Sequence, residues 1–156
     1  ARYKQGLALR ETGKNTEAEE VFKNLIEVKP DDAMADRARL ELAEAALDRG
    51  DGETAAELAD IVIERRMDEN AARAQYIIGK RWFVEGDFNK AERELLRVPI
   101  IYKNFEEWSA RARVLAARCQ LKLEKKEEAR KNLRDVLEIH PRDAIGQEAK
   151  KLLEEN

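Results

Sequence analysis

The chain has 156 residues, enough for one domain or one continuous array of repeats. Apolar residues make up 43% but aromatics only 6%, and charged residues reach 40% against roughly 25% in an ordinary globular domain. Thirty Lys and Arg face 33 Asp and Glu for a net charge of −3. This dense but balanced set suits water-washed helices and excludes both a disordered acidic tail and a surface built to neutralise a phosphate backbone.

Three Pro and seven Gly are too few for the many turns of an all-β domain. No stretch approaches the ~18 apolar residues of a spanning helix, so membrane insertion is not expected. One Cys excludes an intramolecular disulfide and one His excludes a His-pair metal site. No Gly-rich phosphate loop, zinc spacing or calcium loop appears, so catalysis, metals and cofactors are not expected. The chain opens on Ala1 rather than Met and shows no leader-like series, which points to a processed or trimmed start.

Self-similarity governs the reading of the elements. Ala35 to Leu40, Ala71 to Tyr76 and Ser109 to Val114 each spell small, any, Arg, Ala, polar, large apolar, and Ala1-Arg2-Tyr3 is the tail of the same word. Ala1, Ala38, Ala74 and Ala112 are 37, 36 and 38 residues apart. Gly13, Gly50 and Gly86 are each followed five residues later by Ala18, Ala55 and Ala91, and Glu124 and Ala129 close the series at the same intervals. Two markers sharing one irregular period define four units: 1–33, 34–69, 70–105 and 106–141.

In chain order, the first unit breaks at Gly13, and Thr16 with Glu19 has capping-box spacing for its second helix, which Lys29-Pro30 stops. The second unit predicts helices over 34–49 and 52–66, capped by Asp51. The third predicts 70–85 and 88–98, capped by Asp87, and then an extended connection after Pro99. That connection is apolar for a loop and holds Ile100, Ile101, Tyr102, Phe105 and Trp108. It either packs over the array as filler or forms a sticky edge for self-association. The fourth predicts 106–123 and 126–139, stopped by His140-Pro141. Residues 142–156 read as a terminal capping helix with Lys150, Lys151, Glu154 and Glu155 toward water, or as the first half of a fifth unit. Small residues at Gly6, Ala43, Gly79 and Ala117 on the first helices, and at Ala18, Ala55, Ala91 and Ala129 on the second, predict close helix contact.

These glycines and alanines, with Phe22, Leu95 and Leu133 and the closing Pro30 and Pro141, resemble the tetratricopeptide repeat over residues 1–141. Departures are the longer unit, Ala59 and Met67 in the second unit, and Glu124 in place of a fourth Gly. The resemblance implies an all-α, right-handed superhelical solenoid of four helix hairpins plus the terminal helix; the chain enters at the third place of a repeat, which leaves room for earlier repeats in the parent protein. The unit length and opening word are similar to bacterial envelope repeats of the TolA-binding and outer-membrane-assembly lipoprotein type, which implies a periplasmic or cell-envelope setting.

The family's ligand-facing places are the second, fifth, ninth, twelfth and thirteenth of each repeat. The resemblance carries them onto Tyr3, Leu7, Arg10 and Glu11, then Arg37, Leu40, Glu44, Leu47 and Asp48. In the third and fourth units they fall on Arg73, Tyr76, Lys80, Phe83 and Val84, and on Arg111, Val114, Arg118, Leu121 and Lys122. Seven of these residues are cationic and three anionic, a net +4 on a chain of −3. The expectation is a basic, aromatic concave groove for an extended or helical peptide with apolar and acidic groups. Its core set is Arg37, Leu40, Arg73, Tyr76, Lys80, Phe83, Val84, Arg111, Val114, Arg118, Leu121 and Lys122. Against this, the ladder of Arg37, Arg73 and Arg111 could simply pair with Glu and Asp of adjacent helices.

The two-carboxylate clamp that grips chaperone C-termini does not fit. Its places hold Tyr3, Leu7, Glu41, Arg73 and Ile77, and only Arg73 agrees. Nucleic acid is not expected as a partner, since the aromatics are scattered and the basic residues form no long run. Trp82 reads as a core residue, Cys119 as a small buried thiol and His140 as an exposed helix-end residue.

Overall fold

The computed structural model describes residues 1–156 as nine helices with no strand. The first hairpin pairs α1 (Arg2–Glu11) with α2 (Asn15–Val28), and the second pairs α3 (Ala33–Asp48) with α4 (Gly52–Arg65). The third pairs α5 (Glu69–Val84) with α6 (Phe88–Ile101), and the fourth pairs α7 (Glu106–Lys122) with α8 (Lys126–Ile139). A last helix, α9, spans Ala144–Glu155.

The turns follow from local chemistry. Gly13, Gly50 and Gly86 take φ of +77°, +78° and +83°, a left-handed conformation that closes the first helix of each hairpin and that only Gly adopts cheaply. Glu124 adopts the same conformation at φ +61° without being Gly. Asp51 and Asp87 cap α4 and α6 by accepting from the backbone N–H of Thr54 and Lys90, each at 3.1 Å. Asp32, Asp68 and Asp143 do the same for α3, α5 and α9.

Two local expectations are corrected. Thr16 does not cap α2, because the helix already starts at Asn15 and no side chain caps it. Nor does Pro99 end α6. Leu95, Val98 and Tyr102 lie on one face and are buried, and that burial carries the helix through Pro99 to Ile101 despite the lost N–H. The apolar connection thereby shrinks to Tyr102–Phe105. Tyr102 is buried, Phe105 and Trp108 pack on the same cluster, and Ile100 and Ile101 stay exposed.

Successive helices pack on each other, and α3 also touches α5, α5 touches α7, and α7 touches α9. The odd-numbered helices therefore form one continuous face, and the molecule is an all-α helical-repeat solenoid. Its core is four separate clusters strung along the array. They centre on Phe22 and Leu42, on Leu40 and Ile77, on Leu95 and Tyr102, and on Val114 and Leu133. The small residues allow this packing: a Cβ on Gly6 would stand 2.5 Å from Phe22 Cε1, and one on Gly79 2.5 Å from Leu95 Cγ. Trp82 packs on the third cluster as expected, with Arg81 and Lys90 over its ring at 4.4 and 4.2 Å.

One buried charge cluster ties neighbouring hairpins together. The Asp36 carboxylate is fully buried and accepts from Arg39 at 2.5 Å and from Arg66 Nε at 2.7 Å. Arg39 and Arg66 also donate to the carbonyls of Pro30 and Asp31, both at 2.9 Å, clamping the α2–α3 connection to the end of α4. With each oxygen accepting a charge-assisted hydrogen bond from an Arg, much of the desolvation cost of that carboxylate is offset.

Candidate functional site

Apart from Leu40, the core set divides over three hollows on the odd-helix face. The C-terminal groove, about 430 Å³, receives Tyr76, Lys80, Phe83 and Val84 from α5 and Arg111, Val114 and Arg118 from α7. Spacings of three and four along each helix turn these residues to one side. Leu121 and Lys122 line an adjoining hollow of about 420 Å³ together with Phe83 and Arg118. Arg37 and Arg73 line a crevice of about 150 Å³ near the start of α5.

Leu40 belongs to none of them. It is 0% exposed, packed among Leu47, Val62 and Ile77, so in α3 the fifth position turns into the core. Leu47 is buried in the same cluster.

Arg73 is spent on structure. Its guanidinium meets Glu41 at 2.8 Å and Glu44 at 3.3 Å. Burial works against its charge, but the Glu44 and Glu41 carboxylates outweigh that and hold it more firmly protonated than a free Arg. Glu41 also accepts from Tyr3 at 2.7 Å and pairs with Arg10. Arg111 pairs with Glu107 one turn back at 2.6 Å, an exposed contact of little energy, and its guanidinium stands 5.1 Å from the Trp108 ring. Arg118 pairs with Glu148 of α9. Arg37 and Lys80 have no acidic partner among the ion pairs.

The balance of +4 does not describe the whole face. A larger hollow, about 550 Å³, lies at the N-terminal end and sets Glu19, Glu41, Glu44 and Asp48 against Arg10 and Arg49. Glu19 and Glu41 lie outside the family's ligand-facing places, and both reach this surface. The face is acidic over the first two hairpins and basic over the last two. In the C-terminal groove three cations face a single carboxylate, Glu148.

The groove floor is aromatic and aliphatic. Tyr76 and Trp108 meet at 5.6 Å between ring centroids with their planes tilted by 50°. Burial pushes the Tyr76 phenol up to about 12, so it stays a neutral hydrogen-bond donor. Phe83 packs edge-on against Phe88 at 5.7 Å. The remaining wall comes from Leu115 of α7 and from Ala144, Ile145 and Glu148 of α9. These α9 residues lie past the fourth unit, outside the places the family resemblance assigns, although Ile145 and Glu148 stand at one-face spacing.

Other reactive side chains serve packing. Cys119 is fully buried, and burial followed by the nearby Glu92 charge pushes its thiol up to about 12. His140 is not exposed. It is half-buried, meets Asp143 at 2.5 Å and Glu106 at 3.7 Å, and so joins the starts of α7 and α9. No group of three His, Cys, Asp or Glu side chains is placed to hold a metal ion, and no helix is long and apolar enough to cross a membrane.

Side chains gathered from four hairpins and fixed by their stacking form one face of a helical-repeat array. Models of the tetratricopeptide repeat match residues 3–70, 40–101 and 111–143, and the chain belongs to that family. Among solved structures it is similar to a Podosopora anserina protein of kinesin light chain type with nearly identical TPR-like repeats. The likeness is 18% identity and a TM-score of 0.71, over 99% of this chain and 90% of that one. It is also similar to MamA, at 18% identity and a TM-score of 0.65, over 94% and 88% of the two chains. These likenesses show the fold alone. No curated protein matches the sequence.

Proposed function

We propose that this chain is a non-catalytic protein-binding scaffold whose C-terminal groove, between α5, α7 and α9, holds a segment of a partner protein. Apolar side chains of that segment lie on Tyr76, Phe83, Val84 and Val114, with Leu121 extending the surface. Acidic groups meet Lys80, Arg111, Arg118 and Lys122. The observation that supports this is the composition of the groove, in which three cations and one carboxylate surround seven apolar side chains from three helices. Tetratricopeptide repeats mediate protein–protein interaction, which agrees. Because the array is rigid, binding loses little entropy in ordering it. A bacterial envelope setting remains our expectation, resting on unit length and the opening word of each unit.

The test is selection by display of random peptides of about twelve residues, long enough to cross the face. Binders are expected to be rich in Asp, Glu and large apolar residues. Tyr76→Ala with Phe83→Ala removes binding while the helical circular dichroism signal stays, and Lys80→Glu with Arg111→Glu weakens it. Arg73→Glu is the wrong probe, since it adds a third carboxylate beside Glu41 and Glu44. A folded double mutant that still binds defeats the proposal. Binding that falls steeply with salt and is shared by single-stranded nucleic acid points to an anion-binding face instead.

Self-association is the second reading, favoured by one observation: Ile100 is 73% exposed at the end of α6 with Ile101 beside it, 43% exposed. Light scattering across a concentration series distinguishes the two, because a monomer at every concentration leaves the groove as the interaction surface.

A further inference from the structure

We infer that the rim where each hairpin passes to the next is a docking surface for a second copy of this chain, laid antiparallel along the same four units. This rests on the self-association reading above, not on the groove reading, and adds to it a surface, an orientation and the charges that set that orientation.

Short connections make successive helices run in opposite directions, so the array has two rims. On one, Gly13, Gly50, Gly86 and Glu124 turn the chain within a hairpin. On the other, the even-numbered helices end and α3, α5, α7 and α9 begin. Six of the eight exposed large apolar side chains stand on this second rim: Val28, Met34, Met67, Ile100, Ile101 and Ile139. They are 43–73% exposed, and each of the four units contributes at least one. Of the other two, Ile61 lies inside α4 and Val84 belongs to the groove. Single apolar side chains scattered over a surface need no explanation, but a row confined to one rim marks an interaction surface.

Spacing and charge identify the occupant. A partner for the row must carry apolar groups at the spacing of the hairpins, and a second copy does so by construction. Arg65, Arg66 and Glu106 are paired within the chain. Lys29, Lys103 and Arg142 are exposed and enter no ion pair, and the same holds for Glu27, Glu64, Glu69 and Glu138. Free charges of both signs argue against an anionic membrane or a nucleic acid, which would select cations alone.

The order of those charges gives the orientation. The first and fourth units hold one of each sign, Glu27 with Lys29 and Glu138 with Arg142. The second holds two acids, Glu64 and Glu69, and the third one base, Lys103. Turned end for end about a two-fold axis, the second unit of each copy faces the third of the other, and acids meet base. The first unit then faces the fourth, where each sign finds its opposite. A parallel pairing would set Glu64 and Glu69 against themselves, a like-charge contact that opposes association.

The area suffices. Eight helix ends make up the rim. With each helix about 10 Å across, they offer on the order of 700 Å², close to the ~800 Å² per partner of a standard interface. None of the six apolar residues lines the C-terminal groove, so each copy keeps its groove open.

Sedimentation velocity on the full chain from about 1 to about 500 μM is expected to show a monomer–dimer equilibrium with a micromolar dissociation constant. Ile100→Asp with Ile139→Asp should raise that constant about thirtyfold or more. Glu64→Lys with Glu69→Lys should raise it about tenfold, and so should Lys103→Glu. The three charge reversals combined should restore it to within about threefold, because inverted charges still meet their opposites. That rescue separates docking from misfolding, and circular dichroism checks the helix content of every variant. Tyr76→Ala with Phe83→Ala should dimerise like wild type. A chain that stays monomeric at the highest concentration overturns this inference and the self-association reading together, and leaves the groove untouched. A dimer indifferent to Ile100 and Ile139, or one lost with Tyr76 and Phe83, keeps self-association and removes the rim. Failure of the combined reversal to restore the dimer overturns the antiparallel order.

Discussion

Arg73 on α5 donates from Nη1 to Oε1 of Glu41 on α3 at 2.8 Å, and both side chains are shielded, at 14% and 3% exposure. Because the same carboxylate accepts from Tyr3 and pairs with Arg10 on α1, one buried group joins three consecutive hairpins. Burial alone raises the Glu41 pKa, but the Arg73 hydrogen bond and charge, with the Tyr3 hydrogen bond, overcome it and hold the group below its ordinary 4.5. A carboxyl depressed in the folded state stabilises fully above its unfolded pKa and loses that contribution as pH falls through the folded one. Urea unfolding at a series of pH values should therefore show stability falling below about pH 4.5. Glu41→Gln should cost about 3 kcal/mol at neutral pH and reduce the acid slope, leaving the part due to the capping Asp51, Asp87 and Asp143, which are also depressed. An unchanged slope would contradict this.

Gly79 tests the closeness of the helices. Ala would gain about 1 kcal/mol of helix propensity, but its Cβ would meet Leu95 Cγ at 2.5 Å and the Leu95 backbone N at 3.1 Å. Overpacking costs about 1–3 kcal/mol, so Gly79→Ala is expected to lose about 1 kcal/mol and Gly79→Leu several, read as falling thermal midpoints. A stabilised Gly79→Leu would contradict the packing.

At Glu124 the sign reverses. An L-residue in the left-handed region costs roughly 1–2 kcal/mol, which Gly avoids at a smaller entropic cost in the unfolded chain. Glu124→Gly should gain about 0.5–1 kcal/mol and raise the melting temperature by about 1–3 °C. Calorimetry showing a drop would mean that the Glu124 side chain does more than close the turn.

Glu148 on α9 occupies Arg118 and is the only carboxylate in the C-terminal groove. Glu148→Gln releases that cation, so a selected acidic peptide should bind about two- to fivefold more tightly, measured by fluorescence anisotropy. Weaker binding would place the ligand elsewhere.

Cys119 should resist modification. With its thiol pushed up to about 12 and fully buried, it should leave an aromatic disulfide reagent uncoloured at pH 8 until denaturant is added. Rapid reaction of the native chain would show that α7 opens.

Much of the fold is legible in the residues because each hairpin repeats the same local solution. Gly13, Gly50 and Gly86 mark the turns, and the paired small residues mark the contacts. What eluded the pattern depends on neighbours rather than on spacing. Pro99 signals a helix end, yet the burial of Leu95, Val98 and Tyr102 overrides it. Position five lines a hollow at Tyr76 but the core at Leu40, a difference set by tertiary packing rather than by spacing. The site shows the same limit. Tyr76, Lys80, Phe83 and Arg111 converge as their register implies, whereas Arg73 is neutralised by Glu41, a partner at a place the register ignores. Ile145 and Glu148 enter from a helix beyond the four units.

The four core clusters share helices but no common centre. Load applied to the two termini would therefore not rupture one nucleus all at once. Hairpins should peel off in succession, each step giving up only its own seam, so that the chain lengthens under tension in increments like a ratcheted spring.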